Sequence, residues 1–179
     1  PGAMVSVICN NALNRAVKEF NKRTPADILD QAREIVIQEF DKSEEDVKDG
    51  MDLSLCSITG MKLEFAGAHN PLWIIRKNKI LEFKGDKQPV GNFEMSKPFS
   101  NHVIDLEPGD LIYIFSDGYV DQFGGLKGKK FKPKQLRELL LEVHQKPLTE
   151  QSEILEETIN NWRGENEQVD DICMIGVRV

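Results

Sequence analysis

The chain has 179 residues, 40% hydrophobic and 30% charged, with 13 Gly and 8 Pro, a composition that suits one globular domain with a buried core. Its net charge is −7 without a basic stripe, which argues against nucleic acid as a partner, because phosphate neutralisation needs clustered Lys and Arg. Cys9, Cys56 and Cys173 show no metal-binding spacing, no apolar run approaches the ~20 residues of a membrane span and no signal peptide is legible, so a cytoplasmic domain with reduced thiols is expected.

The chain opens Pro1-Gly2-Ala3-Met4 and is expected to be a piece of a longer protein, whose other parts can include a membrane anchor. Val5, Ile8, Ala12, Leu13, Ala16, Val17 and Phe20 recur at helical spacing and predict a first helix ending near Phe20. Asn21-Lys22-Arg23 interrupts it. Thr24-Pro25-Ala26-Asp27 starts a second helix: Thr caps, Pro fits the first turn, and Asp suits the positive end of the dipole. Its stripe of Ile28, Leu29, Ala32, Ile35, Val36 and Phe40 reads as core packing. From Asp41 to Lys48 nearly every residue is charged, and a mobile connection is expected.

Met51, Leu53 and Leu55 alternate with Asp52, Ser54 and Cys56 at the period of a strand, and Gly60 turns the chain into Met61–Phe65, a predicted hairpin. Leu72–Ile75 and Ile80–Phe83 flank Arg76-Lys77-Asn78-Lys79 as a second hairpin. Val103–Leu106, the turn Glu107-Pro108-Gly109-Asp110 and Leu111–Phe115 are expected to form a third. Helical patterns follow Pro133 and Thr149, and a last strand closes the chain. Helices grouped around hairpins define an α+β sandwich rather than a doubly wound parallel sheet.

Carboxylates stand at the tips of the two most apolar runs. Leu111–Ser116 stops at Asp117-Gly118, and Ile172–Val179 starts immediately after Asp170-Asp171. Both runs are read as buried strands, which exclude carboxylates from their interiors but hold them rigidly at their ends. Carboxylates converging from separate strands, with few histidines and no cysteine cluster, suit a hard cation, Mg2+ or Mn2+. Each motif also has a plainer explanation: Asp-Gly as a turn, Asp-Asp as a solvated strand start.

Four segments together resemble one family: Asp49-Gly50-Met51-Asp52, Ala66-Gly67-Ala68-His69-Asn70-Pro71, Ser116-Asp117-Gly118-Tyr119-Val120-Asp121-Gln122-Phe123-Gly124-Gly125 and Gln168-Val169-Asp170-Asp171. They resemble, in order, the motifs of the bacterial SpoIIE/RsbU-type serine/threonine phosphatases, a branch of the metal-dependent PPM phosphatases. The resemblance runs through essentially the whole chain. It implies two antiparallel sheets flanked by helix pairs (αββα), a centre of Mn2+ or Mg2+ at one edge, and hydrolysis of phosphoserine or phosphothreonine by metal-activated water.

By that resemblance, Asp117 and Asp170 are metal ligands, Gly118 lets the backbone turn tightly beside the metals, and Asp171 is a ligand or orients a bound water. No protein nucleophile is implied. Asp49 and Asp52 are ligand candidates or turn residues. His69 is expected to cap or pack, Asn70 to hydrogen-bond across its turn, and Gln122, Phe123, Gly124 and Gly125 to shape the loop after Asp117. Complete members carry an earlier metal-bridging Asp motif, a His proposed as general acid, and further N-terminal strands. Residues 1–179 are therefore expected to be the C-terminal majority of one domain, with an incomplete metal site and impaired activity. The implied partner is a phosphorylated regulatory protein such as an anti-sigma-factor antagonist, and uncovered sheet edges predict a homodimer. The alternatives are a regulatory protein-binding module that keeps the fold without catalysis, and a small-molecule phosphoester hydrolase.

Overall fold

The computed structural model describes residues 2–41 and 50–179, so most of the charged joint expected after Asp41, and the Asp49 carboxylate, lie outside the described residues. In chain order the first elements are helices α1 (Gly2–Lys18) and α2 (Pro25–Phe40) and strands β1 (Gly50–Met51), β2 (Leu53–Thr59) and β3 (Lys62–Ala68). Strands β4 (Leu72–Arg76), β5 (Lys79–Phe83), β6 (Val90–Gly91), β7 (His102–Asp105) and β8 (Leu111–Phe115) follow. Then come α3 (Gly118–Asp121), β9 (Phe123–Gly124), β10 (Lys129–Lys130), α4 (Lys132–Val143), α5 (Leu148–Arg163) and β11 (Met174–Arg178). The chain divides into two compact units, Pro1–Pro71 with Lys84–Leu106, and Leu72–Phe83 with Glu107–Val179.

In the first unit, α1 ends at Lys18, two residues before the predicted end, and Phe20 is 45% exposed rather than part of the stripe. Asn21 takes a left-handed conformation (φ 53°), and the Lys22 N–H returns to the Ala16 carbonyl at 3.0 Å. The predicted cap of α2 forms: the Thr24 Oγ1 accepts the Asp27 N–H and donates to the Asp27 carboxylate. Cys9 and Ala12 of α1 and Leu29, Ala32, Ile35 and Val36 of α2 bury their side chains with Ala66, Ala68 and Val90 in one core. Beneath them β2, β3 and β7 make an antiparallel sheet in that order. Polar ties hold α2 to the segment before β7: the Arg33 guanidinium donates to the Lys97 carbonyl at 2.7 Å and lies 5.1 Å from the Phe99 ring.

The second unit is an antiparallel sheet in the order β11-β8-β4-β5, covered on one face by α4 and α5. Trp73, Leu111, Tyr113 and Phe115 pack with Leu136, Leu140, Leu155 and Ile159. Trp73 meets Phe115 edge-on at 4.7 Å and donates its indole N–H to Glu82, while the Arg137 guanidinium lies 4.2 Å from its ring. Burial pushes the Tyr113 phenol up to about 12, so it stays protonated and donates to Gln151.

Two sequence expectations are corrected. The first two predicted hairpins form, as β2–β3 and β4–β5, but the third does not: β7 pairs with β3, whereas β8 pairs with β4 and β11. The turn between them exists (Gly109 φ 90°), yet the chain changes sheets there. β8 is apolar throughout and sits as an inner strand with a neighbour on each edge, a place a simple hairpin would not supply. The second correction concerns β11. Among the described residues it is an edge strand with β8 as its one partner, and Ile175 and Val177 are 51% and 39% exposed rather than buried.

Asp110 fixes the sheet change. Its carboxylate is 1% exposed and accepts two bonds from Arg76, at 2.9 and 2.6 Å, and one from the Glu107 N–H at 2.8 Å. Its backbone exchanges with the last residue: the Val179 N–H donates to the Asp110 carbonyl, and the Gly109 N–H to the Val179 carbonyl. Burial alone would raise the carboxyl pKa, but the Arg76 and Glu107 hydrogen bonds and the nearby Arg76 and Lys77 charges outweigh it and hold the value down. The folded value lies below the unfolded one, so this stabilisation is complete above about pH 4 and disappears as pH falls through the folded value. Asp110→Ala should cost about 1–3 kcal/mol at neutral pH, because it removes two hydrogen bonds from Arg76, which keeps Glu107 at 3.2 Å, and one from the Glu107 N–H. In urea denaturation, the gap between the unaltered chain and Asp110→Asn should be wide near about pH 7 and should narrow as acid takes the pH down through the folded carboxyl value.

Candidate functional site

Antiparallel pairing sets Phe115 opposite Met174, so the segment leaving β8 and the segment entering β11 meet at the same end of the sheet. Ser116 locks them together. Its N–H donates to the Cys173 carbonyl at 2.9 Å, its Oγ accepts the Cys173 N–H at 2.9 Å, and its hydroxyl donates to the Asp171 carbonyl at 2.8 Å. Asp117 is exposed and leads into the single turn of α3, with the Asp121 N–H donating to its carbonyl.

Gly118 lies hard against the opposite segment. A Cβ there would come 2.5 Å from the Asp171 carbonyl oxygen and 3.2 Å from that of Asp170, so no larger residue fits without displacement. Asp170 and Asp171 are exposed, and the Asp170 carboxylate accepts the Asp171 N–H at 2.7 Å. The structure therefore brings the backbones of Asp117-Gly118 and Asp170-Asp171 together at one strand end.

The loop beyond is built as an architectural piece. Gln122 is fully buried; its Nε2 donates to the Glu167 carbonyl at 2.9 Å and to the Phe123 carbonyl, and its own carbonyl accepts the Trp162 indole N–H. Gly124 has no space for a side chain, since a Cβ would meet the Trp162 carbonyl oxygen at 1.8 Å. Gly125 donates its N–H to that same carbonyl. Phe123 is 41% exposed, with the Lys130 ammonium 5.9 Å from its ring.

The remaining motif residues belong to the other unit. His69 is the middle residue of a tight turn (φ 58°) closed by the Asn70 N–H on the Ala68 carbonyl at 2.6 Å, and its Nδ1 lies 2.8 Å from the Asp52 carboxylate. Asn70 works through its backbone: its carbonyl accepts the Ser54 hydroxyl at 3.2 Å. The carbonyl oxygen of Asn70 also crowds Gly67 and Gly85, where a Cβ would approach it to 2.3 and 2.7 Å. Asp52 and His69 thus pair with one another.

A hard divalent cation suits the Asp117 and Asp170-Asp171 cluster in kind. Its donors are carboxylate oxygens in solvent reach, and among the described residues no salt bridge neutralises Asp170 or Asp171. The cradle at Gly118 holds the carriers in contact. Among the described residues no three His, Cys, Asp or Glu side chains form a group that could hold a metal ion, and this includes Asp117, Asp170 and Asp171. Sequence reasoning passed over Ser116 as an organiser of the site. Its signal was a hydroxyl side chain placed directly between an apolar strand and Asp-Gly.

This mixed architecture of helix pairs on antiparallel sheets is that of PP2C phosphatase domains. The SiaA PP2C domain of Pseudomonas aeruginosa matches 100% of the chain and 70% of its own length, with 28% identity and a TM-score of 0.89. The PP2C phosphatase domain with a regulatory fragment of the cell fate determinant SpoIIE from Bacillus subtilis matches 98% of the chain and 50% of its own length, at 17% identity and a TM-score of 0.73. The catalytic domain of the serine threonine protein phosphatase PstP, solved with 2 manganese ions, matches 97% of the chain and 79% of its own length, at 14% identity and a TM-score of 0.65. No curated protein matches the chain by sequence. The family model for Stage II sporulation protein E (SpoIIE) matches residues 1–179, and the chain belongs to that family.

Gly118→Ala should displace the Asp170-Asp171 segment, because the added methyl meets backbone rather than a flexible side chain. We expect a loss of about 1–3 kcal/mol in urea denaturation. Faster amide exchange at Asp171 and Cys173 should accompany it, while Gly128→Ala, with open space around it but φ 56°, should leave those amides unchanged.

Proposed function

We propose that the chain is the metal-binding part of a protein serine/threonine phosphatase that hydrolyses phosphoserine or phosphothreonine in bacterial signalling, with Mn2+ or Mg2+ as cofactor. The observation that carries this reading is the backbone contact between Asp117-Gly118 and Asp170-Asp171 at one end of the β8–β11 pair. The manganese in the PstP catalytic domain supports the choice of cation. Asp117 and Asp170 would hold it, and Asp171 would ligate or orient a bound water. When bound, the cation pair supplies a water of lowered pKa and neutralises phosphate charge. In this reading the close approach at Gly118 would let the two segments share one ion, and the Ser116 hydrogen bonds would keep their spacing. A phosphorylated regulatory protein, such as an anti-sigma-factor antagonist, is the proposed substrate, by family analogy. Among the described residues no helix is long and apolar enough to cross a membrane.

The second reading, a regulatory protein-binding module on the same fold, draws on the absence of a complete metal-holding group among the described residues. The protein that carries this chain should separate the two readings. On a phosphoserine peptide with Mn2+, Asp117→Asn and Asp170→Asn should each lower phosphate release at least about 100-fold. Equal release by the variants and the unaltered protein would reject the phosphatase assignment of these residues, and no release by any of them would favour the binding module. The proposed homodimer rests on the edge position of β11 and its exposed Ile175 and Val177. Sedimentation velocity should show a concentration-dependent dimer that Val177→Lys disperses; a monomer at every concentration would rule it out.

A further inference from the structure

Two side chains without a carboxylate fasten the acidic segment at both of its ends. Ser116 holds the C-terminal end by accepting the Cys173 N–H and donating to the Asp171 carbonyl. Gln122 holds the N-terminal end through its Nε2 on the Glu167 carbonyl at 2.9 Å. Asp170 and Asp171 lie between these fixed points. Every residue from Glu165 to Asp171 is exposed, so burial contributes little to holding the segment. Asp117, Asp170 and Asp171 are carried on segments in backbone contact, where like charges repel, and at an unfastened segment that repulsion would open the spacing.

Gln122 is an expensive choice for its place. Its Oε1 is buried and has no hydrogen-bond partner among the described residues, a cost that Leu or Met of similar volume would avoid. A residue that only filled space would be apolar there; the amide is explained by what its Nε2 does. Both fasteners are neutral donors, so their grip is independent of the charge state of the carboxylates.

We infer that Ser116 and Gln122 are positioning residues that set the spacing of Asp170 and Asp171 from Asp117 and so tune cation affinity. This rests on the reading of those carboxylates as cation ligands. The test is Mn2+ binding to the 179-residue chain, followed by the paramagnetic resonance of free Mn2+, alongside thermal unfolding without metal. Ser116→Ala and Gln122→Met should each weaken Mn2+ binding about tenfold, and Ser116→Thr, which keeps the hydroxyl, should restore it. Amide exchange at Cys173 should quicken in Ser116→Ala and stay unchanged in Gln122→Met. A purely structural role would lower the unfolding temperature and leave the Mn2+ affinity of the folded chain untouched; that result overturns the inference. Should Gln122→Met fail to fold, Ser116→Ala, at a half-buried position, decides alone. Asp170→Asn separates the two layers. If it weakens Mn2+ binding while Ser116→Ala does not, the positioning role falls and the ligand reading stands. If Asp170→Asn changes nothing, or the unaltered chain binds no Mn2+, the ligand reading falls and the inference with it.

Discussion

The antiparallel pairing of β8 with β11 is the constraint on which the acidic end of this molecule depends. Its register runs from Leu111 opposite Arg178 to Phe115 opposite Met174. A slip of one residue would turn the side chains of β11 to the opposite face and carry Asp171 away from Gly118. Backbone bonds close the pairing at both ends: Asp110 and Val179 at one, Ser116 and Cys173 at the other. The first closure is backed by the buried Asp110 carboxylate on Arg76 of β4, so three strands are fixed to one another at that end. The acidic cluster sits at the other end of the same pair.

Close backbone approach is the second recurrent device. At Gly118, Gly124 and Gly67 the space a Cβ would need is occupied by carbonyl oxygens of another segment, at 2.5, 1.8 and 2.3 Å. Two of these glycines lie in the stretch that follows β8, and they pack it against the approach to β11 and the end of α5. Exposed loops ordinarily gain little from burial and move accordingly. Here the loop after Asp117 is held by the buried Gln122, by the Trp162 indole and by Tyr119, whose hydroxyl donates to the Leu155 carbonyl. Such anchoring holds two segments far apart in sequence in a fixed relation to one another.

Membership of the SpoIIE family and the PP2C fold set the chemistry within which the site is read. The match to the SiaA domain extends over all of this chain at 28% identity, whereas the more distant phosphatases share the fold. The acidic cluster is less than a complete coordination shell among the described residues. What the geometry shows is backbone contact between Gly118 and Asp170-Asp171, with the carboxylates exposed beside it.

Much of the local structure was legible because its causes are local. The Thr24-Pro25 start of α2, the core stripe from Ile28 to Phe40 and the β2–β3 and β4–β5 hairpins follow from capping, periodicity and turn chemistry within a few residues. The carboxylates at Asp117 and Asp170-Asp171 were legible for the same reason, as breaks at the ends of apolar runs. Sequence periodicity carries no record of which strand pairs with which. The turn at Glu107–Asp110 is equally compatible with a hairpin and with a change of sheet, and the pairing of buried Asp110 with Arg76 and the inner position of β8 select the second. The apolar run of β11 reads like a buried strand, but with β8 as its one neighbour among the described residues it is half uncovered. The parts played by Ser116, Gln122 and Gly118 are defined by partners about 45 to 57 residues away, and only the folded chain brings those partners within reach.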